Sequence, residues 1–171
     1  MEFAKTKLDG VILVKPDTVE DFRGTYTETY NEEIYKKGGI TVDFLQDDYS
    51  TSSKHVFRGL HGDSKTWKLI DCMQGRFYFV VMNYDKASPQ YLQWESFTLS
   101  DTNHWQVLVP PNFANGHLAL TDKIIFHYKQ SEYYDPKSQF SLQYNDPKFK
   151  IWLPVKTPFV SQRDEQGKYV S

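Results

Sequence analysis

Three segments of this chain hold side chains that can move a proton or meet an anion. The first is Arg58-Gly59-Leu60-His61, followed by Lys68 on the next strand-like run. A histidine exchanges a proton near neutral pH, and a lysine stabilises negative charge that develops during a reaction. If the two sit on neighbouring strands with their alternation in phase, both point into an interior where a small ligand fits. Taken alone, the same residues also read as a hydrogen-bonded structural histidine and a surface arginine. The second segment is Phe126-His127-Tyr128-Lys129-Gln130, with Tyr133-Tyr134 just beyond. Strand alternation puts Phe126, Tyr128 and Gln130 on one face. A buried tyrosine is commonly a packing residue with its hydroxyl bonded. The third is Ser161-Gln162-Arg163-Asp164, where an aspartate is ordinarily solvated.

Histidines also raise the question of a metal. A metal-binding jelly roll usually opens with His-x-His and a nearby Glu. Here His61 has only Asp63 close by in sequence, and His104, His117 and His127 follow much later. Spacing alone leaves a site built from distant histidines open.

The elements that must position these groups are mostly strands. Only Ala4, Ala87, Ala114 and Ala119 are alanines, whereas aromatic residues reach 16% of the 171. Aromatic and β-branched side chains fit pleated sheets. Strand-like runs are Val11–Val14, Gly24–Tyr30, Thr41–Gln46, Trp67–Met73, Arg76–Asn83, Tyr91–Thr98, Trp105–Val109, His117–Thr121 and Lys123–Gln130. Gln74-Gly75 reads as a hairpin turn joining two of them. Asn115-Gly116 reads as the break before another. The predicted helix is capped by Asn31, runs through Lys36 and has Gly38 at the position after its C-cap. Short strands at a spacing of roughly 8–12 residues predict an all-β sandwich, jelly roll or barrel. The Pro-punctuated tail from Asp135 is expected to wrap it.

Composition narrows the possibilities further. One domain over residues 1–171 is the expectation, long enough to bury a core without disulfides or metal. Mean hydropathy is −0.62 and net charge −2, with no basic block of the kind a nucleic-acid binder carries. Cys72 is the sole cysteine, so no intrachain disulfide can form. The apolar run Phe77–Met82 is far short of the ~20 residues that span a bilayer. The N-terminal segment lacks the apolar core of a signal peptide. A cytoplasmic protein with no membrane or nucleic-acid partner is the expectation.

Read together and in order, the segments say more. They are Asp21-Phe22-Arg23-Gly24, Phe44-Leu45-Gln46-Asp47-Asp48, Arg58-Gly59-Leu60-His61, Lys68, Val109-Pro110-Pro111-Asn112-Phe113-Ala114-Asn115-Gly116, Tyr128-Lys129-Gln130-Ser131-Glu132-Tyr133-Tyr134 and Ser161-Gln162-Arg163-Asp164. This collinear series, covering nearly the whole chain, resembles the dTDP-4-dehydrorhamnose 3,5-epimerase family of sugar-nucleotide enzymes. The resemblance implies a cupin-type jelly roll with a few short helices. It implies catalysis without metal or cofactor, and a homodimer with exchanged N-terminal strands. It also implies roles: His61 as general base, Asp164 as the carboxylate that orients it, Tyr128 as general acid and Lys68 beside the C4 oxygen. Arg23 and Arg58 would meet the diphosphate, and Arg163 would contact the substrate. Glu28, Gln46, Asp48, Phe113 and Tyr134 would contact nucleotide or sugar.

The implied chemistry needs these groups. A 4-keto group acidifies the protons on C3 and C5, because deprotonation gives an enolate. Removal calls for a base, the enolate oxygen calls for a cation, and inversion calls for a second group that returns a proton from the other face. A phenol with an ordinary pKa of ~10 can be that donor, and a neighbouring Lys68 is expected to lower the value. Planar arginine forks suit diphosphate. The implied substrate is a nucleotide-diphosphate-linked 4-keto-6-deoxyhexose or a related sugar, a GDP-linked heptose among them, in surface-polysaccharide biosynthesis. A 3,4-ketoisomerase and a non-catalytic sugar-binding cupin are the competing readings. The chain departs from the family at Gly62-Asp63 (usually Tyr-Gln), at Asn115 (usually His), at Gln139 and Phe140 (usually Glu and Arg) and at Asp48 (usually Asn). The resemblance therefore carries the chemistry further than the substrate.

Overall fold

The computed structural model describes residues 1–170. Its elements are β1 (Glu2–Lys5), β2 (Ile12–Lys15), β3 (Thr18–Asp21), β4 (Gly24–Thr27), α1 (Glu32–Lys37), β5 (Gln46–Ser53), β6 (Phe57–Gly62), β7 (Lys68–Gln74), β8 (Arg76–Asn83), β9 (Trp94–Ser100), β10 (Gln106–Val109), β11 (Phe113–Ala119), β12 (Lys123–Gln130), β13 (Phe140–Ser141) and α2 (Gln162–Glu165). Six strands form one sheet in the order β1-β2-β10-β7-β12-β5, and five form a second in the order β13-β6-β11-β8-β9. Every pairing between these strands is antiparallel. The two sheets face each other as a jelly roll. β3 and β4 pair only with one another, as a hairpin outside both sheets.

Strand alternation sorts the apolar residues into three layers. Ile70, Cys72 and Phe126 of the first sheet meet Phe77, Phe79, Val81, Phe97 and Leu99 of the second, giving the core between the sheets. Outside the second sheet, Phe57, Leu60, Val80 and Leu118 are covered by Leu142, Phe149, Ile151 and Leu153 of the tail. The tail therefore wraps the barrel as the sequence predicts. Outside the first sheet, Leu69, Leu108 and Val14 are covered by Tyr35 of α1. No helix among the described residues is long and apolar enough to cross a membrane.

Several local readings change. Asn31 caps α1, its side chain accepting from the Ile34 N–H at 3.3 Å. Gly38, however, is the C-cap at φ −78°, and the left-handed residue is Gly39 at +92°. Gly38 is glycine for a different reason: a Cβ there would lie 2.5 Å from the Phe3 ring. Gln74-Gly75 is not a hairpin turn. β7 and β8 belong to different sheets, and Gly75, at φ +78°, is where the chain crosses between them. Asn115-Gly116 lies inside β11 rather than before it. Thr41–Leu45 is irregular, and the strand is the polar run that follows, β5. β5 is an edge strand whose alternate residues face solvent, so serine and threonine serve as well as apolar residues there.

Candidate active site

A cavity of about 300 Å³ opens between the sheets, with walls from β5, β6, β7, β11 and β12 and a rim from α2. Seven of the residues singled out above line it: His61, Lys68, Tyr128, Asp164, Arg58, Tyr134 and Arg163. They come from segments far apart in sequence, and strand alternation explains how they meet. On β12, Phe126, Tyr128 and Gln130 all line the cavity, while His127 and Lys129 turn outward to bond Asp47. On β7, Lys68 stands on the same face as Ile70 and Cys72.

His61 Nε2 lies 2.6 Å from Asp164 Oδ1, across 103 residues of sequence. Asp164 is 2% exposed. It sits in the first turn of α2, where Ser161 caps the helix by accepting from the Asp164 N–H at 3.2 Å. Burial works to raise the Asp164 pKa, but the hydrogen bond and charge of His61, the Ser161 hydroxyl and the Gly59 backbone outweigh it, and the carboxyl stays below its usual value. An ionised Asp164 accepts from His61, which places that proton on Nε2 and leaves Nδ1 as the basic nitrogen. Asn115 fixes the strand beneath, its Nδ2 donating to the His61 carbonyl at 3.1 Å.

Burial pushes the Tyr128 phenol up to about 12, with the Asp48 carboxylate and Tyr134 adding to the rise. The expectation that Lys68 would lower it is therefore overturned. Burial lowers Lys68 itself; Asp63 works against that shift and Arg163 adds to it. Among the described residues Lys68 has no carboxylate within ion-pair distance. Arg58 is held by Ser52 Oγ at 2.9 Å and the Thr51 carbonyl, and Arg163 by Ser141 Oγ at 3.3 Å. The cavity thus gathers two guanidiniums and a half-desolvated ammonium around one histidine–carboxylate pair.

Five singled-out residues lie elsewhere. Gln46 and Asp48 are not among the lining residues but bond ones that are: Gln46 accepts from the Tyr134 N–H at 2.9 Å and donates to Asp48 at 2.7 Å, and Gln130 donates to Asp48 at 3.3 Å. Phe113, 6% exposed, packs in the core between the sheets. Arg23 lies on the exposed β3–β4 hairpin, paired with Asp21 at 2.5 Å, and Glu28 follows it on the surface. Conversely, Asn115, His117 and Gln139 line the cavity without having been singled out for it. The period-two pattern of β11 was the available signal, hidden because Asn115-Gly116 imitates a turn. Two departures from the family also meet: Gln139 Nε2 donates to buried Asp63 at 2.8 Å, and the Lys65 and Thr66 N–H groups complete that carboxylate. Among the described residues no three His, Cys, Asp or Glu converge as metal ligands, so His104, His117 and His127 stay apart.

His127 lies on the opposite side of the sheet, between two carboxylates. Its Nδ1 is 3.1 Å from both Asp71 oxygens and its Nε2 is 2.8 Å from Asp47. The Asp71 hydrogen bond leads in raising its pKa above 6.5; burial opposes, and the charges of Asp71 and Asp47 add to the rise. A raised folded-state value stabilises the native protein fully below the unfolded value, and that contribution fades as pH rises through the folded value. His127→Gln should therefore cost about 1–2 kcal/mol in urea unfolding near pH 6 and much less near pH 9. An equal loss at both pH values would remove the charge from the account.

A jelly roll with a polar, ligand-sized cavity between its sheets belongs to the cupin class of folds. Within it, the chain is a member of the dTDP-4-dehydrorhamnose 3,5-epimerase family, whose family model matches residues 5–171. A dTDP-4-dehydrorhamnose 3,5-epimerase of Methanothermobacter thermautotrophicus is 36% identical to it over 171 residues, covering 97% of this chain and 92% of the relative. The crystal structure of the Bacillus anthracis enzyme with TDP and PPi bound matches at a TM-score of 0.96 and 35% identity, covering 99% of each chain. The Legionella pneumophila enzyme in complex with dTDP-4-keto-L-rhamnose matches at 0.94 and 33% identity, covering 98% of this chain and 92% of its own.

Proposed function

We propose that residues 1–171 act as one catalytic domain, an isomerase that epimerises a dTDP-linked 4-keto-6-deoxy sugar next to its ketone. The observation that carries this reading is the 2.6 Å His61–Asp164 pair in the same cavity as the Tyr128 phenol and Lys68. His61 Nδ1 takes the proton from the carbon beside the ketone, and ionised Asp164 stabilises the imidazolium that results. Electrons from the broken C–H bond move to the C4 oxygen. Lys68, half-buried without a carboxylate partner among the described residues, supplies the charge that the enolate oxygen needs, which favours the transition state over the ground state. Tyr128 returns a proton to the other face of the carbon, and the enolate collapses to the inverted ketone. Arg58 and Arg163 hold the diphosphate. The substrate's own carbonyl provides the activation, so the cycle calls for no cofactor.

A non-catalytic binding cupin would need no base and acid in one cavity. A 3,4-ketoisomerase would return the proton to a different carbon and needs no donor opposite the base. Incubation with dTDP-4-keto-6-deoxyglucose in deuterium oxide separates the three. Epimerisation places deuterium at C3, C5 or both with inversion; ketone migration or no exchange would overturn the reading.

The β3–β4 hairpin supports a homodimer. It pairs with neither sheet, and it exposes Phe22 at 98%, Tyr26 at 71% and Val19 at 65%. Docked on a second copy, the hairpin buries these side chains and carries Arg23 and Glu28 to the partner's cavity. Two-fold closure is the usual outcome for such exchange. Arg23→Ala, distant from its own cavity, is then expected to weaken dTDP binding about tenfold. Unchanged affinity, or a monomer in sedimentation at micromolar concentration, would count against the exchange.

A further inference from the structure

One lining group has no task in the epimerase reading. On β11, alternation carries Phe113, Asn115, His117 and Ala119 toward the space between the sheets, while Ala114, Gly116 and Leu118 face the outer cluster. His117 is 4% exposed and lines the cavity. Its ring stacks on Phe126, with centroids 4.0 Å and planes 10° apart, and Phe77 packs on it at 5.4 Å. Those contacts fix the plane of the ring. Its Nε2 is the one buried side-chain nitrogen or oxygen among the described residues without a hydrogen-bond partner. Buried polar atoms are nearly always paired, so an unpaired one in a ligand cavity has a reason. For stacking alone, phenylalanine would fill the slot at no such cost.

The surroundings define what the ring can bind. Arg58 is its register partner on β6, and His61 lies on that same strand. Burial, then the positive charges of Arg58 and His61, push its pKa down to about 3; Asp164 works in the other direction. The imidazole is therefore neutral at working pH, with one nitrogen donating and the other accepting. A hydroxyl, which also donates and accepts, suits either tautomer. An anionic group is drawn instead to Arg58, Arg163 and Lys68.

We propose that His117 is a specificity-determining residue that hydrogen-bonds a hydroxyl of the bound sugar, so that the ligand itself completes the buried nitrogen. The proposal rests on the cavity being a nucleotide-sugar site. A site built around a substrate hydroxyl rejects analogues that lack it, because the protein group is then left unpaired.

The test compares dTDP-glucose with dTDP by calorimetric titration of the wild type and of His117→Phe, which keeps the aromatic stack. The variant should bind dTDP as the wild type does and dTDP-glucose about tenfold more weakly, with unchanged or raised thermal stability. In the wild type, the His117 side-chain nitrogen-15 signals should move on adding dTDP-glucose and stay in place on adding dTDP. That measurement decides the question if the variant does not fold. A variant that is more stable and binds both ligands normally makes His117 a packing residue and overturns the proposal. Equal weakening of both ligands overturns it too, since the ring would then serve the nucleotide half or the fold. Wild-type protein that binds neither ligand overturns the nucleotide-sugar reading instead.

Discussion

His61→Asn should abolish solvent exchange of the substrate protons next to the ketone while leaving dTDP affinity within about twofold of wild type. Asparagine keeps an N–H that Asp164 can accept, so the buried carboxylate does not lose its partner outright. What disappears is the ring nitrogen that accepts a proton. Loss of a general base costs ~10²–10⁴-fold. Here the cost lies toward the upper end, because the base acts on a carbon acid and the cavity offers no second histidine able to replace it: burial holds His117 at about 3. Deuterium uptake followed by proton NMR reads the first step directly, whatever the fate of the product. Uptake within a few fold of wild type would remove His61 from the mechanism. Asp164→Asn is the companion variant. It keeps the 2.6 Å contact with His61 but cannot supply the charge that stabilises an imidazolium, so exchange should fall while dTDP still binds.

Tyr128→Phe should separate exchange from inversion. The substitution keeps the ring that packs against Phe126, at 5.5 Å between centroids, and removes only the hydroxyl. His61 can still take a proton and return it to the same face, so deuterium enters without inversion. Inverted product should fall ~10²-fold or more. Burial, Asp48 and Tyr134 hold the phenol near 12, so Tyr128 stays protonated across the working range and is always ready to donate. Its pKa therefore cannot set the alkaline limit of the wild-type rate. Lys68 can: burial lowers its pKa below 10.5, so the ammonium that faces the enolate is lost first as pH rises. The alkaline limb should fall before the phenol titrates. Inversion at the wild-type rate in Tyr128→Phe would assign the acid to another group.

How much of this was legible in the sequence differs from strand to strand. β12 is legible to the residue, because its β-branched and aromatic run, Ile124, Ile125, Phe126 and Tyr128, is bounded by polar Asp122 and Ser131. β5 is not legible, because an edge strand with one face in solvent needs few apolar residues. The junction at Gly75 is ambiguous in sequence, because a Gln-Gly pair looks the same whether the next strand pairs with the last or crosses to the facing sheet. Only packing against Lys123 and Thr121 distinguishes the two. α2 is four residues long, too short to leave a periodic signal. The candidate site was legible as residue types at characteristic separations, and that signal came from resemblance more than from local physics. Resemblance could not reveal the bond between Asp63 and Gln139 or the unpaired nitrogen of His117. Both lie where this chain departs from its relatives or outside the motifs, and both depend on which side chains meet in space.

The bond between His61 and Asp164 also has a bearing on biosynthesis. Every strand of both large sheets except the two-residue β13 is made before residue 131, yet Asp164 follows only with the tail. At a synthesis rate of roughly 5–20 residues per second, the 103 residues between base and carboxylate take on the order of 5–20 s to translate. In the part of that interval that follows β12, a nascent barrel can close around a histidine with no carboxylate to orient it. The tail docks through the Leu142–Lys168 bridge and the Ser161 cap, and Asp164 arrives with it. Catalytic competence thus waits on the tail, and it serves as a readout that the tail has seated.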